Sequence, residues 1–293
     1  MAVHILENNV LRLRVADRGA ELSSVYDKEL SAERLWGADP AVWNRHAPIL
    51  FPFVGRVVGG KYRIGEREYE MKTQHGFARD LDFECVEETA DSLSQLLCAD
   101  EKTKALYPFD FRLLVRHRLD AENARLLHIE WEVRNAGEET MFYSIGGHPG
   151  FLPPAGVNKE DCLIGFPGRD RLRYFGASPA GFGLPDGEKT LSLRDSCAPY
   201  AADVPETWIF EGQRIDRVQI LRPEGIPWVT LHCGEFPILA VWANSAGPFL
   251  CLEPWFGRCD DEGFTGELSE KPYVERLGPG EAKEIHYSIE FHA

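Results

Sequence analysis

A chain of 293 residues, 44% of them hydrophobic, can bury a large core, and an all-β chain of this length is expected to form one domain over residues 1–293. Its 47 acidic and 32 basic residues give a formal charge of −15, which repels phosphate backbones and anionic lipid. Nucleic acid and membrane surfaces are therefore excluded as expected partners, and a small neutral ligand fits better.

The first ten residues carry no basic stretch followed by an apolar one, and no segment runs the roughly 18 apolar residues of a membrane span, so a cytoplasmic location is expected. Seven cysteines (Cys85, Cys98, Cys162, Cys197, Cys233, Cys251, Cys259) are odd in number and scattered, without a C-x-x-C pair. Reduced thiols are expected. No familiar ligand spacing joins Cys251 or Cys259 to a histidine, and no metal is expected.

Period-two alternation predicts strands over residues 10–15, 81–86, 92–99, 111–119, 126–133, 217–221, 227–233 and 285–291. In the fifth of these, Leu127, Ile129, Trp131 and Val133 fall on one face and His128, Glu130 and Glu132 on the other. Turn signals such as Asn135-Ala136-Gly137, Pro185-Asp186-Gly187 and Gly278-Pro279-Gly280 separate the runs. Helical turns are expected only at 32–36 and 100–106, the second closed by Pro108. Residues 153–203 read as loop-rich, with short strands at 162–164 and 172–174. Without strand–helix alternation the fold class is all-β and antiparallel.

Candidate chemistry gathers in a few stretches. Residues 142–151 place His148 between two glycines and a Pro-Gly, where the backbone turns sharply and another molecule can approach an imidazole that titrates near neutrality. Residues 43–56 form an apolar run ending at Arg56, and Gln74-His75-Gly76-Phe77-Ala78-Arg79-Asp80 follows. Arginine and histidine donors facing one cleft suit a polyhydroxylated ligand; a surface ion pair is the plainer reading of Arg56 and Arg79. Residues 241–257 enclose Glu253 in apolar sequence, where an ionised carboxylate needs a proton, a partner or a job. Trp242 and Trp255 offer flat faces on which a sugar ring can stack. Among the other histidines, His117 shares its face with Leu113, Val115 and Leu119 and reads as a satisfied core residue. His4, His128, His286 and His292 read as solvated.

Four stretches, Phe51-Pro52-Phe53-Val54-Gly55-Arg56, His75-Gly76-Phe77-Ala78-Arg79-Asp80, Gly147-His148-Pro149-Gly150-Phe151 and Cys251-Leu252-Glu253-Pro254-Trp255, together resemble the aldose 1-epimerases, or galactose mutarotases. Their order and spacing match that family over nearly the whole chain, and their wording is most similar to its LacX-like bacterial branch. The resemblance implies a single-domain antiparallel β-supersandwich with an open cleft on one sheet and a sugar as substrate. It implies Glu253 as the base on the anomeric hydroxyl, His148 as the acid on the ring oxygen, His75 holding the C1 oxygen, and Arg56 binding sugar hydroxyls, without metal or cofactor. Arg79, Trp242 and Asn244 are taken as further substrate contacts.

The family's acidic sugar-binding residue, commonly aspartate, finds its nearest match in Glu206. A related branch acts on hexose 6-phosphates, and Arg45 with Arg79 offers it an anion site, although Asn44 stands where that branch has arginine. A non-catalytic sugar-binding module and, more weakly, a glycosidase are the other readings. The expected geometry has His148 and Glu253 on opposite edges of one pyranose.

Overall fold

The computed structural model describes residues 2–200 and 207–293, and almost every element in it is an antiparallel strand. Of the strands predicted from alternation, Leu11–Ala16, Phe111–Leu119, Leu126–Asn135 and Ala282–Phe291 have one buried and one wetter face. In Leu126–Asn135 the buried residues are Leu127, Ile129, Trp131, Val133 and Asn135, while the residues between are partly exposed. This strand pairs with Phe111–Leu119 on one side and Ala282–Phe291 on the other. The sheet so begun has nine strands, in the order Cys197–Pro199, Leu163–Gly165, Arg217–Leu221, Pro227–His232, Ala282–Phe291, Leu126–Asn135, Phe111–Leu119, Ser92–Cys98 and Glu84–Glu88.

A second, six-stranded sheet runs Thr207–Glu211, Ile238–Trp242, Leu250–Phe256, Ile145–Gly147 and Ile49–Leu50, with Gly150–Phe151 also paired to Leu250–Phe256. Leu239, Val241, Leu250, Leu252 and Phe256 point into one core with Ile285, Tyr287 and Ile289 of the larger sheet. On the reverse face Ile238, Ala240 and Trp255 join Val54, Phe175 and Cys259 in a smaller cluster under the covering loops. Both faces are thus shielded, the polar half of the pattern is missing, and the two central strands carry no alternation for the sequence to reveal.

Residues 32–36, expected to turn helically, are extended instead: Ala32–Glu33 pairs with Leu22–Asp27 in a four-stranded N-terminal sheet. The Glu33 carboxylate accepts from the backbone N–H groups of Val25, Arg34 and Leu35, so those donors are not free for a helix. Arg34 inserts fully into the interior, donating to Asp27 Oδ2 at 3.0 Å and to the carbonyls of His292 and Trp228, with its guanidinium 3.5 Å from the Trp228 ring centroid. That clamp joins the N-terminal sheet to the end of the larger one. The second helical expectation holds as Glu101–Leu106, opened by a reciprocal Asp100–Thr103 capping pair.

His117 is a core residue but not a satisfied one. Its Nδ1 is buried without a hydrogen-bond partner, and burial lowers its pKa to about 4. The unfolded chain takes up a proton near pH 6.5 that the native ring refuses until about pH 4, so stability falls across that window as pH drops. The loss is about 3 kcal/mol. Urea unfolding of His117→Leu is expected to lose that slope between the two pH values; an unchanged slope contradicts the assignment. Of the histidines read as solvated, His286 is exposed, beside Glu235 at 3.1 Å, while the others are engaged and partly buried: His4 bridges Asp17 and Glu88 at 2.9 and 3.0 Å, His128 meets Asp120 at 2.9 Å, and His292 meets Thr230 at 2.8 Å.

Candidate active site

The floor of the site is set by strand register. Ile238–Trp242 pairs with Leu250–Phe256 so that Trp242 lies opposite Cys251, Ala240 opposite Glu253 and Ile238 opposite Trp255. All six lie on the face turned away from the main core. Small neighbours make room there: a Cβ on Gly146, opposite Trp255, would come within 2.5 Å of the indole. Above this floor opens a cleft of about 870 Å³ walled by Trp43, Arg45, Arg56, Gln74, Arg79 and Asn244. Among the described residues lining it, Glu253 is the sole carboxylate.

His148 and Glu253 meet directly, with Nε2 and Oε2 3.3 Å apart and both side chains buried. They do not stand on opposite edges of a ring-sized gap, as the sequence led us to expect; they form one contact on the cleft floor. The ring oxygen and the anomeric oxygen of a pyranose are both bonded to C1, so two adjacent groups can reach both from one side. Burial pushes the Glu253 carboxyl well above the usual carboxylate range. The nearby Trp255 indole pulls the other way, without completing a hydrogen bond to Oε2. Burial also pulls the His148 imidazole down to about 3, with the positive Arg79 adding to it. The imidazole sits among rings: Trp43 at 4.9 Å, Trp242 at 5.3 Å and His75 at 5.5 Å between centroids.

His75 is held by a reciprocal lock. Its backbone N–H donates to the Gly55 carbonyl at 2.8 Å, and Gly55 N–H donates to His75 Nδ1 at 3.0 Å. The lock requires left-handed backbone at His75 (φ 66°) and at Gly76 (φ 69°), where a Cβ would lie 2.3 Å from the Phe51 carbonyl oxygen. The other ring nitrogen, Nε2, lies 2.6 Å from the Gln74 amide nitrogen. Burial holds the ring well below the ordinary histidine range, which favours its neutral form. Arg56 Nε donates to the other end of that amide at 3.1 Å, tying the arginine, Gln74 and His75 into one row.

The other expected contacts are placed unevenly. Trp242 and Arg56 line the cleft as expected. Arg79 lines it too, its guanidinium donating to the Gln74 carbonyl at 2.6 Å while its buried Nε has no hydrogen-bond partner among the described residues, and Arg45 is paired with Asp80 at 2.5 Å. Asn244 reaches the rim while its amide is used locally, donating to the Val42 carbonyl and accepting from Ala246 N–H. Glu206 lies outside the described residues. Trp43, Gln74 and Thr207 also line the cleft; each sits inside or beside a stretch singled out from the sequence, but no residue-level signal distinguished them.

The rim carrying Asn244 is fixed from behind by Lys159, whose buried ammonium donates to the carbonyls of Asn244, Ser245 and Gly247 at 2.5, 3.2 and 2.6 Å. Lys159→Met leaves three inward carbonyls without their donor, each loss worth about 1–3 kcal/mol at most. The expected result is a lower melting temperature and a KM raised about fivefold with kcat little changed, since the lysine touches no reacting atom. A fall in kcat at constant KM contradicts this positioning role.

A family model described as aldose 1-epimerase matches residues 2–165. The LacX protein of Lactococcus lactis subsp. lactis is 28% identical over 304 residues, covering 97% of each chain. A galactose mutarotase related enzyme from Lactobacillus acidophilus superposes with a TM-score of 0.92 at 30% identity, covering 100% of this chain and 98% of that one. A galactose mutarotase-like protein from Lactobacillus casei gives 0.89 at 27% identity, covering 99% and 100%.

Proposed function

Because the chain belongs to the aldose 1-epimerase family, in its LacX-like branch, and is by that membership a carbohydrate epimerase, we propose that it interconverts the α and β anomers of a free aldohexose. The observation that carries this reading is the buried 3.3 Å contact between His148 and Glu253 at the foot of the cleft. In this reading the pair shares a single titrating proton, since burial disfavours both the carboxylate and the imidazolium. Shifting that proton from Glu253 to His148 gives the reactive form. The carboxylate then takes the proton of the anomeric hydroxyl, the bond from C1 to the ring oxygen breaks as the C1 carbonyl forms, and the imidazolium protonates the released oxygen. Rotation about C1–C2 presents the other carbonyl face, and closure runs the transfers backwards. The pair ends with the one proton it began with.

His75 contacts the C1 oxygen as carbonyl character develops, and Arg56 binds ring hydroxyls beside it. Trp43 and Trp242 supply apolar faces for the sugar ring. The whole chain acts as one domain in this reading, and no cofactor enters it. The ion pair of Arg45 with Asp80 favours an unphosphorylated sugar over a hexose 6-phosphate. A glycosidase needs a second carboxylate across the bond, and among the described residues the cleft offers none.

Polarimetry on freshly dissolved aldoses and their 6-phosphates tests the proposal. Faster relaxation for at least one free aldose than in buffer is expected; rates equal to buffer across the panel remove it, as does acceleration confined to phosphorylated sugars. The pH profile follows from the shared proton. Activity is expected to fall as pH drops toward about 3, where His148 takes a second proton, and again as pH rises through the elevated pKa of Glu253, where the pair loses its only one. An acid limb near pH 6.5, the value of an ordinary imidazole, contradicts it.

A further inference from the structure

Cys251 has no part in the reaction above, yet it lies beside both reacting groups. Strand Leu250–Phe256 sends Cys251 and Glu253 out on the same face, two residues apart, and the turn after Ile145–Gly147 lays His148 over them. One ligand atom from each of the three, all of them buried, lies within 4.8 Å of the other two. Glu253 Oε2, on a side chain that is 1% exposed, has no hydrogen-bond partner among the described residues. With a thiol and an imidazole nitrogen beside that carboxylate, the three side chains can close on one cation.

The spacing suits a small tetrahedral ion. Bonds of about 2.3 Å to sulfur and about 2.0–2.1 Å to nitrogen or oxygen put neighbouring ligand atoms roughly 3.3–3.6 Å apart. The His148–Glu253 separation of 3.3 Å already matches, and only the thiol has to close in. One sulfur, one nitrogen and one carboxylate oxygen form a set that favours zinc-like ions over magnesium or calcium, which prefer all-oxygen shells. His148 and Glu253 line the cleft, so the fourth position opens to incoming water or sugar.

We propose that His148, Cys251 and Glu253 form a binding site for a thiophilic divalent cation such as Zn2+ or Cd2+, and that an ion held there blocks proton transfer to the sugar. Binding displaces the thiol and carboxyl protons to solvent while the ion takes the lone pairs the reaction needs. Affinity therefore rises with pH. The blocking clause rests on the anomer-exchange reading; the binding site itself rests only on the three side chains.

The experiment titrates Cd2+ into chelator-treated full-length protein carrying Cys85→Ala, because His4, Cys85 and Glu88 form a second, more exposed cluster. One tightly bound Cd2+ with a sulfur-to-cadmium ultraviolet band is expected, and Cys251→Ala is expected to abolish the band and weaken binding at least about tenfold. In parallel, Zn2+ is expected to inhibit anomer exchange, with at least about ten times more Zn2+ needed in Cys251→Ala. Cys251→Ala and Cys251→Ser should retain basal exchange, which shows that both are folded. An unchanged band, or equal Zn2+ sensitivity in the two proteins, overturns the site. A Cys251-dependent band in a protein that accelerates no sugar supports the site and overturns the reaction instead.

Discussion

Glu253→Gln is expected to slow enzymatic anomer exchange by about three orders of magnitude, with His148→Asn falling in the same range. Glu253→Gln keeps the packing volume and removes an ionisable group from a site where burial penalises its charge. The melting temperature of Glu253→Gln at neutral pH should therefore equal or exceed that of the native protein. Lost activity together with retained stability separates a chemical role from a structural one. In the proposed mechanism the two groups, 3.3 Å apart, share one proton, so the double variant should be scarcely slower than either single one. Losses that multiply mean that the two act independently, which contradicts a shared proton.

The second large effect is expected at His75. His75→Ala removes the imidazole beside the pair and the side-chain half of its lock on Gly55, and should lower kcat by about two orders of magnitude with a smaller change in KM. His75→Asn retains a side-chain hydrogen-bonding group and should recover part of the loss. Because burial keeps the native ring neutral, the acid limb of the pH profile should not move in either variant. A profile shifted by His75→Asn would mean that His75, rather than the pair at 148 and 253, carries the exchanging proton.

Much of this architecture was legible because one side of most long strands is wet. Phe111–Leu119 and Arg217–Leu221 have the predicted bounds, and Leu126–Asn135 extends the prediction by two residues. The strands that make the site were not legible as strands, because Ile238–Trp242 and Leu250–Phe256 are shielded on both faces and read as unbroken apolar sequence. The same shielding made Glu253 conspicuous, since a carboxylate in such a run demands an explanation. His148 and His75 were found from the glycines around them. Their mutual placement was not, because a separation of 3.3 Å depends on strand pairing between distant segments.

Where local chemistry competes with tertiary demands, the sequence misled. Residues 32–36 have helical composition, but Glu33 spends its carboxylate on three backbone donors and Arg34 has to reach Asp27. His4 looked solvated from its position near one end and is instead held between two carboxylates. The grouping of Cys251 with His148 and Glu253 was not legible, because ligand spacing is read along the chain and His148 comes from a distant turn.

Magnetisation-transfer NMR between the two anomeric protons of an aldose at equilibrium, with native protein and Glu253→Gln at equal concentration, bears most directly on the proton-sharing pair. The account predicts enzyme-dependent exchange for the native chain and near-background exchange for the variant, although sugar resonances still broaden on binding to it. Exchange of equal speed with both proteins, or none above background with either, contradicts it.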